Sequence, residues 1–167
     1  MPGSAVLLCL VIGIADGDTL TARCDTRAGH GNLVVRLAGI DAPEKRQPFG
    51  HRSRQNLAAL CFKQRAAIMP RATDRYGRTV ARVNCDGSDA GFEQVRAGMA
   101  WAYTRYAPDA DIRAAEQDAR GKRLGLWADA SPVEPWTWRA SVSAQCDGPP
   151  PWPRKCFARK PRGTFAL

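Results

Sequence analysis

At 167 residues and 18.2 kDa the chain has room for one compact domain and a tail, which argues against a two-domain machine. Hydrophobic residues at 44% and charged residues at 25% lie close to the globular average, so the chain can bury a core and is not disordered as a whole. Charge is the outlier: Lys+Arg 25 against Asp+Glu 16 gives +9, and 20 of the cations are Arg, whose planar fork grips phosphate bidentately. A phosphate-bearing partner therefore leads over a high pI that serves only solubility.

No apolar run reaches the ~18 residues of a membrane-spanning helix, so the chain reads as soluble with no membrane partner. Met1 to Ser4 read as a start residue and an expression scar standing where a native leader was cut away. Ala5 to Ile14 reads as a buried strand and not as a signal-peptide core, since no Lys or Arg precedes it and no small-residue cleavage site separates it from Asp16. Leu7 to Ile14, Thr19 to Cys24 and Asn32 to Ile40 are three strands, divided by Asp16-Gly17 and by Arg27 to Gly31. His51 to Phe62 carries Leu57, Leu60 and Cys61 at helical spacing. Two more strands follow, Arg65 to Met69 ending at Pro70 and Arg78 to Asn84 ending at Asp86-Gly87. Asp89 caps a helix over Ala90 to Ala97 that stops at Gly98, and a third helix runs from Asp109 to Arg123 with acids first and bases last.

The order βββαββαα predicts an α+β fold: a five-stranded antiparallel barrel of the oligonucleotide-binding type with three helices. The domain is expected over residues 5–128. From 129 to 167 the chain reads as a Pro-rich basic extension, and residues 144–167, with five Pro, five Lys+Arg and one Asp, cannot form a core. That tail reads as extended, attracting a polyanion by charge alone.

The six cysteines contain no C-x-x-C pair, which disfavours a thiolate metal site. A hairpin at Asp16-Gly17 puts Cys9 roughly opposite Cys24; Cys61 with Cys85 joins the first helix to the last strand, and Cys146 with Cys156 is the remainder. Three such bridges imply an oxidising compartment, hence periplasmic or secreted, whereas buried free thiols acting as small hydrophobes are the alternative.

Two acidic clusters flank the third strand: Asp16-Gly17-Asp18-Thr19 at a hairpin turn and Asp41-Ala42-Pro43-Glu44 at the strand end. Their carboxylates are hard oxygen donors suited to Ca²⁺ or Mg²⁺. Arg36 lies in an apolar strand, where a charge needs a partner or a ligand, and Arg78 opens the strand after Asp74-Arg75-Tyr76-Gly77. A cation, two arginine clamps and a carboxylate that handles water are what phosphodiester hydrolysis requires. Read singly, each Arg is better explained as a surface ion pair.

From about Val11 to Trp127 the chain resembles the staphylococcal nuclease family, through D-G-D-T, V-R-L-A-G-I-D-A-P-E, D-R-Y-G-R, V-R-A-G-M-A-W and G-L-W in that order. The resemblance implies a Ca²⁺-dependent endonuclease on an oligonucleotide-binding barrel, acting on DNA and RNA, with single strands favoured, and leaving 3′-phosphate ends; a monomer is expected. It implies that Asp18, Asp41 and the backbone carbonyl of Ala42 hold the metal, that Glu44 is the general base, and that Arg36 and Arg78 bind phosphate. Arg75, Tyr76 and Tyr106 fall where the family lines its nucleotide groove, and Asp16 would support Asp18 or a metal-bound water. Lys45 to Gly50 is shorter than the family's mobile loop, and Asp25 to Gly31 is longer. A catalytically weak or inactive module of the same family, which binds nucleic acid without cutting it, is the competing reading.

Overall fold

Strand β1, Leu7–Ile14, points Cys9 and Val11 inward by ordinary alternation; a bulge between Val11 and Gly13 then shifts the phase so that Ile14, and not Gly13, is buried. The computed structural model describes residues 6–26, 29–103 and 109–146. β1 pairs with β2, Thr19–Thr26, which pairs with β3, Gly29–Leu37. The strand pair β2–β3 is longer than the sequence suggested, because Gly29 and Gly31 join the ladder opposite Thr26 and Cys24; the hairpin's backbone bonds override the weak strand preference of glycine.

At Gly39, with φ of 74°, the chain leaves the barrel wall, so the strand expected to run to Ile40 ends at Leu37. The next two residues form β4, Ile40–Asp41, which pairs with β8, Trp101–Ala102. Helix α1, Gly50–Cys61, follows, and then β5, Arg65–Thr73, which passes Pro70 through a bulge instead of stopping there. β6, Thr79–Cys85, and the short β7, Ser88–Asp89, lead into α2, Ala90–Arg96, where Asp89 caps the helix by accepting from the Phe92 N–H at 2.9 Å. α3, Ala110–Gly121, and a 3₁₀ turn, Gly125–Ala128, come after β8.

The five long strands run in the order β3-β2-β1-β5-β6, and β3 closes on β6. The expected barrel is present with one correction: the closing pair is parallel, not antiparallel. Four successive antiparallel steps return the direction of the first strand, so a ring of five cannot alternate throughout. Inside lie Val11, Leu20, Ala22, Val35, Ile68, Ala81 and Val83, closed off by Leu57 of α1, Val95 of α2 and Ile112 of α3. Cys9–Cys24 and Cys61–Cys85 are disulfides, as the sequence implied; the proposed Cys146–Cys156 pair lies outside the described side chains.

A fourth helix, α4, Pro135–Cys146, was not expected, since no element was placed after Trp127. Proline at its first position is compatible with a helix start, but the preceding Ser131-Pro132-Val133-Glu134 reads as linker, and the sequence of α4 has little helical amphipathicity to announce it. Long-range contacts hold it: Pro135 is fully buried, Trp136 stacks edge-on to Trp101 at 6.0 Å and lies 5.5 Å from Tyr103, and Gln47 Nε2 donates to the Val133 carbonyl at 2.6 Å. Trp101, Trp127 and Leu126 form a second small core here. No described helix is long and apolar enough to cross a membrane.

Candidate active site

The Asp16-Gly17-Asp18-Thr19 turn joins β1 to β2, and the Ala15 N–H donates to the Thr19 carbonyl at 2.9 Å to close it. Gly17 is required by close approach: a Cβ there would stand 1.8 Å from Ser53 Oγ and 2.8 Å from the Ala42 methyl. The fully buried Gln94 ties this turn to both helices, donating through Nε2 to the Gly17 carbonyl and, at 3.1 Å, to that of Ser53, while its Oε1 accepts from Asn56 at 2.6 Å. Gln94 and Ser53 therefore set the site's floor. Sequence reading missed both, since neither carries a motif and their partners lie far away in the chain.

Asp18 and Asp41 are buried carboxylates brought together by Arg36. Arg36 Nη1 lies 2.9 Å from Asp18 Oδ2 and Nη2 lies 2.9 Å from Asp41 Oδ1, while Nη1 also donates to the Ile40 carbonyl at 3.1 Å. The Thr19 hydroxyl donates to Asp18 Oδ1 at 2.9 Å and the Ala42 N–H to Oδ2 at 2.8 Å. Burial, reinforced by the Asp18 charge beside it, pushes the Asp16 carboxyl up to about 7. Burial likewise holds Asp41 above the usual carboxylate range, with Asp18 adding to it and the neighbouring guanidinia only partly opposing.

Glu44 sits on the turn that leads into α1. Its N–H donates to Gln47 Oε1 at 3.0 Å and its carbonyl accepts from the Gln47 N–H at 2.8 Å. Gly50 packs so closely that a Cβ would lie 2.0 Å from the Glu44 carbonyl oxygen. The short Lys45 to Gly50 segment thus holds the Glu44 backbone tightly and leaves the side chain 40% exposed toward the cleft. Opposite, Arg78 is fixed through Nε to Asp74 Oδ2 at 2.7 Å and reaches Thr19 Oγ1 at 3.4 Å. Its guanidinium lies 5.5 Å from the Tyr76 ring, with that of Arg75 at 4.8 Å.

The cleft these groups enclose measures about 400 Å³ and is lined by Asp16, Asp18, Arg36, Asp41, Ala42, Glu44, Arg75, Tyr76 and Arg78. All were singled out from sequence; Tyr106, the remaining groove residue, lies outside the described residues. One further charge lines it, Arg139 of α4. Its Nη2 lies 2.7 Å from Asp41 Oδ2, and its Nη1 lies 2.7 Å from Glu44 Oε1 and 3.3 Å from Asp41 Oδ1. Burial works against its charge, but the bonds to Asp41 and Glu44 more than offset this and raise its pKa further. No motif pointed to Arg139, which enters only through the docking of an unanticipated helix.

No three Asp, Glu, His or Cys side chains among the described residues form a metal-holding group by themselves. The donor chemistry still fits a hard divalent cation, because the buried carboxylates of Asp18 and Asp41 are drawn to the same Arg36 guanidinium and so present hard oxygen donors side by side at the cleft. Such an ion would need backbone, water or substrate oxygens to complete its shell.

A barrel of the oligonucleotide-binding type, with carboxylates and arginines converging at one edge, has the make-up of a phosphodiester-handling class of protein. The sequence pattern described as "Staphylococcal nuclease homologue" matches residues 34–129, and the chain belongs to the staphylococcal nuclease family. It is 44% identical to an uncharacterised endonuclease of Haemophilus influenzae, over 78% of this chain and 72% of that protein. It is 42% identical to a micrococcal nuclease of Shigella flexneri, over 77% of this chain and 78% of the other. With the protein ParB of Escherichia coli it shares 43% identity over 87% of this chain and 86% of the other, a share too large to end before α4.

Proposed function

We propose that the protein is a Ca²⁺-dependent endonuclease that hydrolyses phosphodiester bonds of DNA and RNA to 3′-phosphate products, favours single strands and works as a monomer in the periplasm or outside the cell. The observation that carries this reading is the convergence of Asp18, Asp41, Arg36, Glu44 and Arg78 on one open cleft. Asp18 and Asp41, with the Ala42 carbonyl, would hold the cation. When bound it supplies Lewis-acid charge at a non-bridging phosphate oxygen.

The chain's own groups do the rest. Glu44, partly exposed on a tightly held turn, takes the proton of a water attacking phosphorus in line; the P–O5′ bond breaks and the 5′ oxygen takes a proton from solvent to leave as the 5′-hydroxyl of the second fragment. Arg36 and Arg78 donate to phosphate oxygens as negative charge grows there. Arg75 and Tyr76 form an exposed stacked pair at the rim, where a base can lie on the aromatic face. Asp16 steadies the turn by accepting from the Asp18 N–H at 3.2 Å.

The two disulfides and the nuclease names of the relatives support the compartment and the activity, respectively. The non-cutting alternative is less favoured because all five polar positions are intact. Glu44→Gln is expected to lower kcat on single-stranded DNA by about 10²- to 10⁴-fold with the fold unchanged by circular dichroism. A variant that cuts at near wild-type rate would remove Glu44 from the base role.

A further inference from the structure

Helix α4 brings a fourth arginine into the cleft, after Arg36, Arg75 and Arg78, and its position conflicts with an occupied cation site. Of the two Asp41 carboxylate oxygens, Oδ1 already accepts from Arg36 Nη2 at 2.9 Å. Oδ2 is covered by Arg139 Nη2 at 2.7 Å, and the same guanidinium reaches Glu44 Oε1 at 2.7 Å. A divalent cation seated on an oxygen at about 2.4 Å cannot share it comfortably with a guanidinium nitrogen on that same oxygen, since like charges would be forced into contact. The helix that carries Arg139 is anchored by Pro135, Trp136 and the Gln47 bond to Val133, so a displacement of the guanidinium takes place by side-chain rotation and not by movement of the helix.

We propose, building on the Ca²⁺-nuclease reading, that Arg139 is a further substrate-binding arginine with two resting places. In the cation-free enzyme it lies across Asp41 and Glu44 as an internal counter-ion; when the cation arrives it is displaced and donates to a phosphate oxygen of the nucleic acid. Three observations support the second position. Arg139 is 44% exposed, it lines the same cavity of about 400 Å³ as Arg36, Arg75 and Arg78, and its fork suits phosphate as well as carboxylate. Leaving Glu44 also frees that carboxylate to accept a proton.

The two positions give opposite signs in two measurements on the full-length protein. In Arg139→Gln, Ca²⁺ titrated by calorimetry without substrate is expected to bind roughly fivefold more tightly, because a competing charge is gone. At saturating Ca²⁺ the same variant is expected to show KM for a single-stranded oligodeoxynucleotide raised roughly tenfold or more, because a charged hydrogen-bond donor to phosphate is gone. Arg139→Lys, which keeps the charge but loses the fork, should fall between the two in both readouts and serves if the Gln variant is unstable. Weaker Ca²⁺ binding in the variants, or an unchanged KM, overturns the proposal. If wild-type protein binds Ca²⁺ and cuts but the variants match it, this inference alone fails; if wild type does neither, the nuclease reading fails and takes this inference with it.

Discussion

Asp16 has no counterpart among the charges that the arginines directly compensate, and its surroundings make it expensive to ionise. Its carboxyl is pushed up to about 7 by burial and by the charge of Asp18, while in the unfolded chain it ionises near the ordinary aspartate value of 3.8. Between those two values the unfolded state releases a proton that the folded state retains, so stability is lost as pH rises from about 4 to about 7 and stays lost above. Asp16→Asn removes that cost. In chelator, its melting temperature should exceed that of wild type at pH 8 and match it at pH 4, with a gain of up to about 4 kcal/mol. Equal shifts at both pH values would mean that Asp16 ionises normally in the fold. At this scale the sequence was legible where chemistry travels in short motifs: Asp18, Arg36, Asp41, Glu44 and Arg78 each sit inside one. Gln94, Gln47 and Arg139 were not, because their roles exist only through partners that the fold brings from elsewhere in the chain.

Elements were legible where local turn chemistry decides them. The Asp16-Gly17 hairpin, the Asp89 cap and helices α1 to α3 follow from residues within a few positions of each boundary. Misplaced boundaries occurred where a long-range ladder overrode a local signal, as at Gly29 to Gly31 and at Pro70, and α4 was missed because only the tryptophan cluster fixes it. The Cys61–Cys85 bridge ties α1 to the end of β6, beside the junction where β7 leads into α2, the helix that carries Gln94. Replacing both cysteines with Ala is expected to lower unfolding stability by about 2–4 kcal/mol by urea titration. A change within the error of extrapolation would show that packing of the buried Leu57 and Ala66 surroundings suffices without the bridge.

For the whole molecule, the excess of +9 divides between arginines bound into the cleft and cations distributed elsewhere, including five in residues 144–167. Only the first group has fixed partners in the site; the second can steer a polyanion, an effect that salt screens. The barrel is closed by the pairing of β3 with β6, whereas the cleft draws residues from the β1–β2 turn, β3, the segment leading to α1, the β5–β6 turn and α4. Side-chain changes at the cleft rim should therefore alter chemistry more than folding. The central claim is that this cleft cuts nucleic acid with a hard divalent cation. Incubating wild-type protein with a 5′-labelled single-stranded oligonucleotide, with Ca²⁺ and in parallel with excess chelator, tests it directly. Fragments ending in 3′-phosphate that form only with Ca²⁺ are the expected result, and salt-sensitive binding without cleavage in both samples would contradict it.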